Sequence, residues 1–413
     1  MIARNTRLKY LPVLVLGALL AVGAAAAFAA GPKAYVGNFK DSTVSVIDTA
    51  TGAVTGTVPV AAGPHGMTVT PDGKTVYVSG DESSTVSVID TATDRVTGTI
   101  EVGKTPHGLA MQPDGRVLLV AVYGEDRVAF IDAASHAIVA SVAVPKPHTI
   151  AIRPDGKLAY VASQQPGKFA LVVVDLATRA TVRAIALDKP PRDPEFSYDG
   201  KALYYTMAGI NAVQVLDPAN DQVVATVPTG ASPHIAAYFR GAPVATAVVQ
   251  GPGELLLFDP ATHAPIRSIE VGKQPHWVAA SGDGKRAYVT NEGSNDVSVV
   301  DLASGQVTTI AVGNAPRKVV VQQPATGVAG TATVSIANFA FMPAELTVAT
   351  GDTVTWSNDD GAPHGLAYKD GAQGTNLLLP GAKFARTFDR AGSYDYICTV
   401  HPYMSGKVIV RAP

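Results

Sequence analysis

A dipeptide of Pro followed by His or Arg recurs seven times through the middle of this chain. The copies are Pro64-His65, Pro106-His107, Pro147-His148, Pro191-Arg192, Pro233-His234, Pro275-His276 and Pro316-Arg317. Successive prolines lie 42, 41, 44, 42, 42 and 41 residues apart. No other feature constrains the fold as tightly. A repeat of this size is one supersecondary unit that cannot bury its own apolar face, and when it consists of short strands it predicts a β-propeller.

Each unit reads as four strands. In residues 65–102, the first strand ends at the turn Pro71-Asp72-Gly73-Lys74. Val76-Tyr77-Val78-Ser79 is the second, and Thr85-Val86-Ser87-Val88-Ile89-Asp90 is the third, with clean alternation. Residues 96–102 form the fourth. Pro-Asp-Gly turns recur at 113–115 and 154–156, with looser versions at Tyr198-Asp199-Gly200 and Gly282-Asp283-Gly284. Residues 34–60 supply three strands before any marker, and residues 317–322 supply a first strand with nothing of its kind after it. Those two ends are expected to complete one blade together, which removes the open sheet edges. The least regular blade is expected at 241–271, where Gly251-Pro252-Gly253 replaces the polar hairpin.

Over residues 34–322 the chain resembles the YVTN-type propeller repeat family, carried by Tyr288-Val289-Thr290-Asn291 and Ser87-Val88-Ile89-Asp90-Thr91-Ala92-Thr93. The resemblance implies a seven-bladed β-propeller and says little about activity, because propellers host many functions.

A second pattern begins after a Gly-, Ala- and Pro-bearing stretch. Thr333-Val334-Ser335-Ile336, residues 345–348 and Thr353-Val354-Thr355-Trp356 read as short strands of a sandwich. Near the end stands Cys398-Thr399-Val400-His401-Pro402-Tyr403-Met404, and His364 lies 34 residues before the cysteine. A thiolate, two imidazoles and a weak axial thioether are the donor set of a blue-copper centre, built for electron transfer. Zinc is the rival, but a zinc site would replace the methionine with another Cys or His. Cys398 is the chain's only cysteine, so it forms no internal disulfide, and a metal accounts for it.

Residues 333–413 resemble a cupredoxin of the amicyanin and plastocyanin kind. Residues 339–343, Gly351-Asp352-Thr353-Val354-Thr355-Trp356 and the compact ligand loop carry the likeness. The resemblance implies His364, Cys398, His401 and Met404 as ligands of one type 1 copper. It also implies that His401 projects through an apolar patch with Pro402, Tyr403 and Met342. Many family members carry Asn directly after the first ligand histidine, bracing the cysteine loop; here that residue is Gly365.

Each marker residue begins an innermost strand, so His65, His107, His148, Arg192, His234, His276 and Arg317 are expected to ring one mouth of the propeller channel. Two readings stand. The ring is a site, with His65, His107 and His148 for additional copper and Arg192 and Arg317 for an anion; or the repeats merely tolerate polar residues there. Two function classes follow. In one, the chain is an electron carrier whose propeller is a docking platform. In the other, it is a copper-dependent oxidoreductase with chemistry at the ring and relay through the cupredoxin. Nitrous oxide reductase joins the same two folds, but its electron-entry centre needs two cysteines, and this chain has one.

The N-terminus reads as a leader. Arg4, Arg7 and Lys9 precede an apolar run from Tyr10 to about Phe28, and Ala27-Phe28-Ala29 fits a small-residue cleavage rule. The expected layout is leader 1–30, propeller 31–322, linker 323–332 and cupredoxin 333–413. The product would be exported, periplasmic or beyond, with no stable membrane span. Formal charge is −2, and −5 without the leader's three cations, so nucleic acid is excluded as a partner. A redox protein is the expected partner: a cytochrome, another cupredoxin or a dehydrogenase. The last propeller strand should leave the face opposite the ring, and a ten-residue linker reaches at most roughly 35 Å. Either the cupredoxin then packs on the propeller's flank, with no short route to the ring, or a head-to-tail homodimer places one chain's copper over the other chain's ring.

Overall fold

The computed structural model describes residues 32–323, 332–349, 352–369, 371, 374–388 and 390–411. The expected leader and most of the expected linker lie outside these residues. Seven four-stranded antiparallel sheets account for the first part. One of them is composite: the strand Pro316–Val321 pairs with Lys33–Asn38, setting Ala34 against Val321 and Tyr35 against Val320. The two incomplete ends of the repeat thus close the ring. Among the described residues, no helix is long and apolar enough to cross a membrane.

The markers act through the backbone. Six of the seven prolines follow a residue in the left-handed region: Gly63, Thr105, Lys146, Ser232, Gln274 and Ala315. That residue swings the chain from one blade's outer strand into the next blade's innermost strand, and the proline starts the strand with φ preset. The exception is Pro191, preceded by Pro190, which cannot take that conformation. Here the innermost strand shrinks to Glu195–Phe196 and its neighbour to Leu203–Tyr205. The least regular blade is therefore this one, not 241–271, whose four strands keep five or six residues each. Three prolines at 190, 191 and 194 remove ladder donors, whereas Gly251 and Gly253 sit in a hairpin where they cost nothing.

A second repeat went unread in the sequence. Asp48, Asp90, Asp132, Asp175, Asp217, Asp259 and Asp301 each end a third strand. Each turns its carboxylate onto backbone amides two or three residues ahead, as Asp301 does with Ala303 (3.1 Å) and Ser304 (2.7 Å). These Asx turns set the third hairpin of every blade.

Blades are latched to each other near the channel. Ser79 Oγ accepts from the Gly66 amide (2.8 Å) and donates to the carbonyl of His107 in the next blade (2.6 Å). Thr290 Oγ1 repeats this between the Trp277 amide (3.0 Å) and the Arg317 carbonyl (2.8 Å). Thr206 Oγ1 donates to the His234 carbonyl.

The remaining strands form two sheets of a sandwich. One holds Ala340–Met342, Ala332–Ala337, Thr353–Asn358 and Lys383–Thr387; the other holds Glu345–Ala349, Ser405–Arg411, Gly392–Ile397, His364–Tyr368 and Thr375–Leu378. Trp356 and Tyr396, both fully buried, meet edge to face between the sheets at 5.4 Å.

Close blade packing leaves no room at Gly66, where an added Cβ would lie 2.0 Å from the His107 carbonyl oxygen. Gly66→Ala is expected to destabilise the propeller by about 1–3 kcal/mol or more. Gly56→Ala, on an outer strand where a Cβ meets nothing within 4 Å, should be neutral. Urea midpoints of the two variants check this, and equal midpoints would refute the latch.

Candidate metal centre

His364 opens the strand His364–Tyr368, and Cys398 directly follows Gly392–Ile397, so adjacent strands of one sheet deliver both residues. Both are fully buried. The loop that follows folds back on itself. The Cys398 amide donates to the Met404 carbonyl (3.0 Å), and the Met404 amide to the His401 carbonyl (2.9 Å). The His401 amide points at the Cys398 sulfur (3.3 Å). Met404, 3% exposed, lies under the loop it closes.

These constraints aim three donor atoms at one point. Cys398 Sγ lies 3.6 Å from His364 Nδ1 and 3.9 Å from His401 Nδ1, and the two nitrogens are 3.3 Å apart. A triangle with sides of 3.3, 3.6 and 3.9 Å has its circumcentre about 2.1 Å from each corner, close to metal–nitrogen and metal–thiolate bond lengths. Among the described residues this is the one group of three such side chains with its donor atoms drawn so close. The residues therefore fit a metal with soft and imidazole preference.

Asp360 completes the arrangement and was not foreseen. Its Oδ2 lies 2.9 Å from His364 Nε2, which commits that nitrogen and leaves Nδ1 for the metal. Amides of Phe339 (2.9 Å) and Asn338 (2.7 Å) also donate to Asp360. The Phe339 hydrogen bond leads in holding its carboxyl below the usual carboxylate range. With Gly365 in place of the family's bracing Asn, buried Asn358 ties the loop before His364. Its amide donates to the carbonyls of Ala362 (2.9 Å) and Leu378 (2.8 Å), while its oxygen accepts from the Asp360 amide (3.1 Å).

Around His401 the surface is apolar. Tyr403, whose ring lies 6.0 Å from His401, is 72% exposed and Phe339 44%; Met342, at the end of the strand Ala340–Met342, is 48% exposed. The Phe339 ring stands edge-on to His401 (5.0 Å) and lies 5.6 Å from His364. Phe339 adds to the expected patch.

At the propeller's channel, the marker residues do meet. The imidazole of His107 stacks on His65 and on His148, each at 3.9 Å between centroids, and His234 stacks on His276 at 4.0 Å. His65 and His148 are 6.4 Å apart. Stacked rings do not converge their donor atoms as ligands do. His107 Nδ1 and His276 Nδ1 are spent on the carbonyls of His148 and Arg317, each at 3.0 Å. The arginines are spent too. Arg192 reaches Ser232, the Pro233 carbonyl and Gln250. Arg317 stacks on Phe39 at 3.6 Å and pairs with Glu292 at 3.4 Å. Sequence reasoning missed Asp193, which is 1% exposed and 3.0 Å from His234 Nδ1.

Two all-β units, one a closed seven-bladed propeller and the other a sandwich with a His-Cys-His centre, define a propeller–cupredoxin fusion. Comparison with known families agrees. The YNCE-like beta-propeller family matches residues 6–326. The copper-binding proteins of the plastocyanin/azurin family match residues 328–411. The chain belongs to the YNCE-like propeller family, and its C-terminal domain is homologous to amicyanins and plastocyanins, electron-transfer proteins whose family binds type 1 copper. It is 41% identical over 83 residues to amicyanin of Paracoccus versutus, spanning 19% of this chain and 63% of that protein's length. It is 37% identical over 89 residues to amicyanin-alpha of Methylorubrum extorquens, covering 20% of this chain and 74% of that protein. Plastocyanin of Tetradesmus obliquus is 39% identical over 84 residues, 17% of this chain and 58% of its own length. Among solved structures, Kuenenia stuttgartiensis hydrazine synthase superposes with a TM-score of 0.61 at 24% identity, covering 65% of this chain and 92% of that one. That likeness is one of fold alone.

The ring makes a pH prediction. Burial first, then the charges of neighbouring imidazoles and of Arg317, hold His65, His107 and His276 well below the ordinary histidine range; burial also lowers His148. Asp193 opposes this at His107, His148 and His276; at His148 the charge of His234 adds to the lowering, while the Arg192 backbone opposes it. A depressed folded pKa means the unfolded chain binds the extra protons. The ring's contribution is then full above the unfolded value of about 6.5 and is lost as pH falls below it. The propeller's calorimetric transition should drop between pH 7.5 and 5.5, and less steeply in His107→Gln. A transition flat over this range would contradict the neutral stack.

Proposed function

We propose that the chain is an exported one-electron carrier. His364, Cys398, His401 and Met404 hold a single type 1 copper, and the propeller serves as a rigid docking platform. Copper, when bound, supplies a one-electron couple. The protein's own work is to fix the donors. Asp360 orients His364, the His401 amide steadies the Cys398 sulfur, and the interlocked loop backbone resists rearrangement between oxidation states. A rigid, largely buried donor frame suits electron transfer, and a half-buried His401 set among Phe339, Met342 and Tyr403 suits an electron port. The observation that carries this reading is the convergence of one sulfur and two Nδ1 atoms on one point. Export rests on the Arg4, Arg7, Lys9 segment and its apolar run. The partner is a soluble redox protein with an apolar docking face.

The relay reading, with an oxidoreductase site of metal or anion at His65, His107, His148, Arg192, His234, His276 and Arg317, draws less support, since most of those groups are committed to each other. A carrier works as a monomer; the head-to-tail dimer belongs to the relay.

One copper per chain is expected, with an intense blue colour from sulfur-to-copper charge transfer. Cys398→Ser should abolish the colour and leave the propeller's melting transition unchanged. A colourless copper-loaded wild type would remove the assignment.

Electron entry is tested separately. Tyr403→Lys places a charge on the patch. It should slow bimolecular exchange with a small redox protein severalfold by weakening encounter, while copper content and colour stay the same. Unaltered exchange would place the port elsewhere.

A further inference from the structure

Below the ring, the innermost strands line an open cavity of about 590 Å³, to which the turn residues Pro71, Pro113 and Gly282 and, beyond the propeller, Gln323 and Asp352 also contribute. Three residues past each marker, the cavity wall carries Thr68, Ala110, Ala151, Ala237, Ala279 and Val320, and, after the fourth marker, Glu195. One residue past the markers, Gly108, Thr149 and Ile235 are uncharged, while Lys318 and Trp277 stand side by side. The Lys318 ammonium lies 3.9 Å from the centre of the Trp277 ring. Glu195 and Lys318 belong to blades three places apart in a ring of seven, so they face each other across the channel.

Neither group has an ion-pair partner among the described residues, although the Lys318 ammonium rests on the Trp277 ring. Among the described residues, no carboxylate lies within ion-pair distance of Lys318, and no donor hydrogen-bonds the Glu195 carboxyl. Each senses the other only at longer range. Burial raises Glu195 to about 7, with Lys318 opposing and Asp193 adding; burial lowers Lys318. In the ring above, by contrast, Asp193 has a charge partner at ion-pair distance, His234 at 3.0 Å. Lys318 and Glu195 stand on facing walls of a cavity whose inner lining is mostly apolar, with Arg240 and Asp352 as the other charged residues of its lining, and so form a ligand site with both polar anchors open.

We propose that the propeller channel binds a small zwitterion with an apolar flank, an amino acid or short peptide. Its carboxylate meets Lys318, its ammonium meets Glu195, and its apolar part lies on Trp277, Met67 and Leu109. Trp277 gives affinity by area and aromatic contact. The two anchors give orientation, because a reversed ligand would set like charges together. This inference stands independently of the copper assignment.

The test uses the full-length, copper-loaded protein and isothermal titration at pH 7. The probes are leucine, phenylalanine and the dipeptide Leu-Leu, set against two half-ligands: 4-methylpentanoate, which lacks the ammonium, and 3-methylbutylamine, which lacks the carboxylate. A zwitterion should bind about tenfold or more tighter than either half-ligand, with the free amino acids and the dipeptide separating the two sources. Binding should also release protons as Glu195 ionises, read from the heat in buffers of different ionisation enthalpy. Lys318→Met should abolish the advantage of the zwitterion over the amine, and Glu195→Gln its advantage over the carboxylate. Unchanged melting transitions would establish that both variants fold. Absence of heat with every zwitterion at millimolar concentration, or affinity untouched in both folded variants, would overturn the proposal.

Discussion

Everything in the propeller depends on the pairing of Pro316–Val321 with Lys33–Asn38. This contact joins residues nearly the whole domain apart, so its loop-closure entropy is large, though it grows only slowly with length. The return comes from cooperation. Once the composite blade forms, every sheet has a neighbour on both sides, and the hydroxyl latches from Ser79, Thr206 and Thr290 lock three of the blades to the carbonyl of the next. An open ring would leave the strand edge of Lys33–Asn38 unpaired, and with it the register that brings seven marker residues to one mouth.

The copper domain solves a smaller problem by local means. Its ligands sit on two adjacent strands and a seven-residue loop, and the loop's own amides hold them. The distances that matter are therefore set within one sheet.

That difference governs what could be read from the sequence. The markers and the convergent group of His364, Cys398 and His401 were legible because they lie in or near short patterns. The seven Asx-turn aspartates were equally legible and passed unnoticed behind the prolines. The irregular blade was misplaced because a glycine hairpin looks like disorder in a pattern, whereas the real break comes from Pro190, Pro191 and Pro194. Glu195, Lys318 and Trp277 could not be found at all. They lie on three different blades, and nothing in the spacing of residues 195, 277 and 318 says that they share a cavity; only the closed ring does.

Histidine illustrates how one residue type takes two roles in a single chain. In the ring, His107 and His276 spend Nδ1 on the carbonyl of the next blade, and burial keeps the imidazoles neutral. They are packing elements with a polar edge. In the copper domain, Asp360 takes Nε2 of His364 and leaves Nδ1 free, facing a thiol and a second Nδ1. Which nitrogen the protein commits thus decides whether an imidazole is mortar or ligand. Counting histidines cannot make that distinction. The neighbouring acceptor does: a backbone carbonyl from the next blade in one case, a carboxylate four residues upstream in the other.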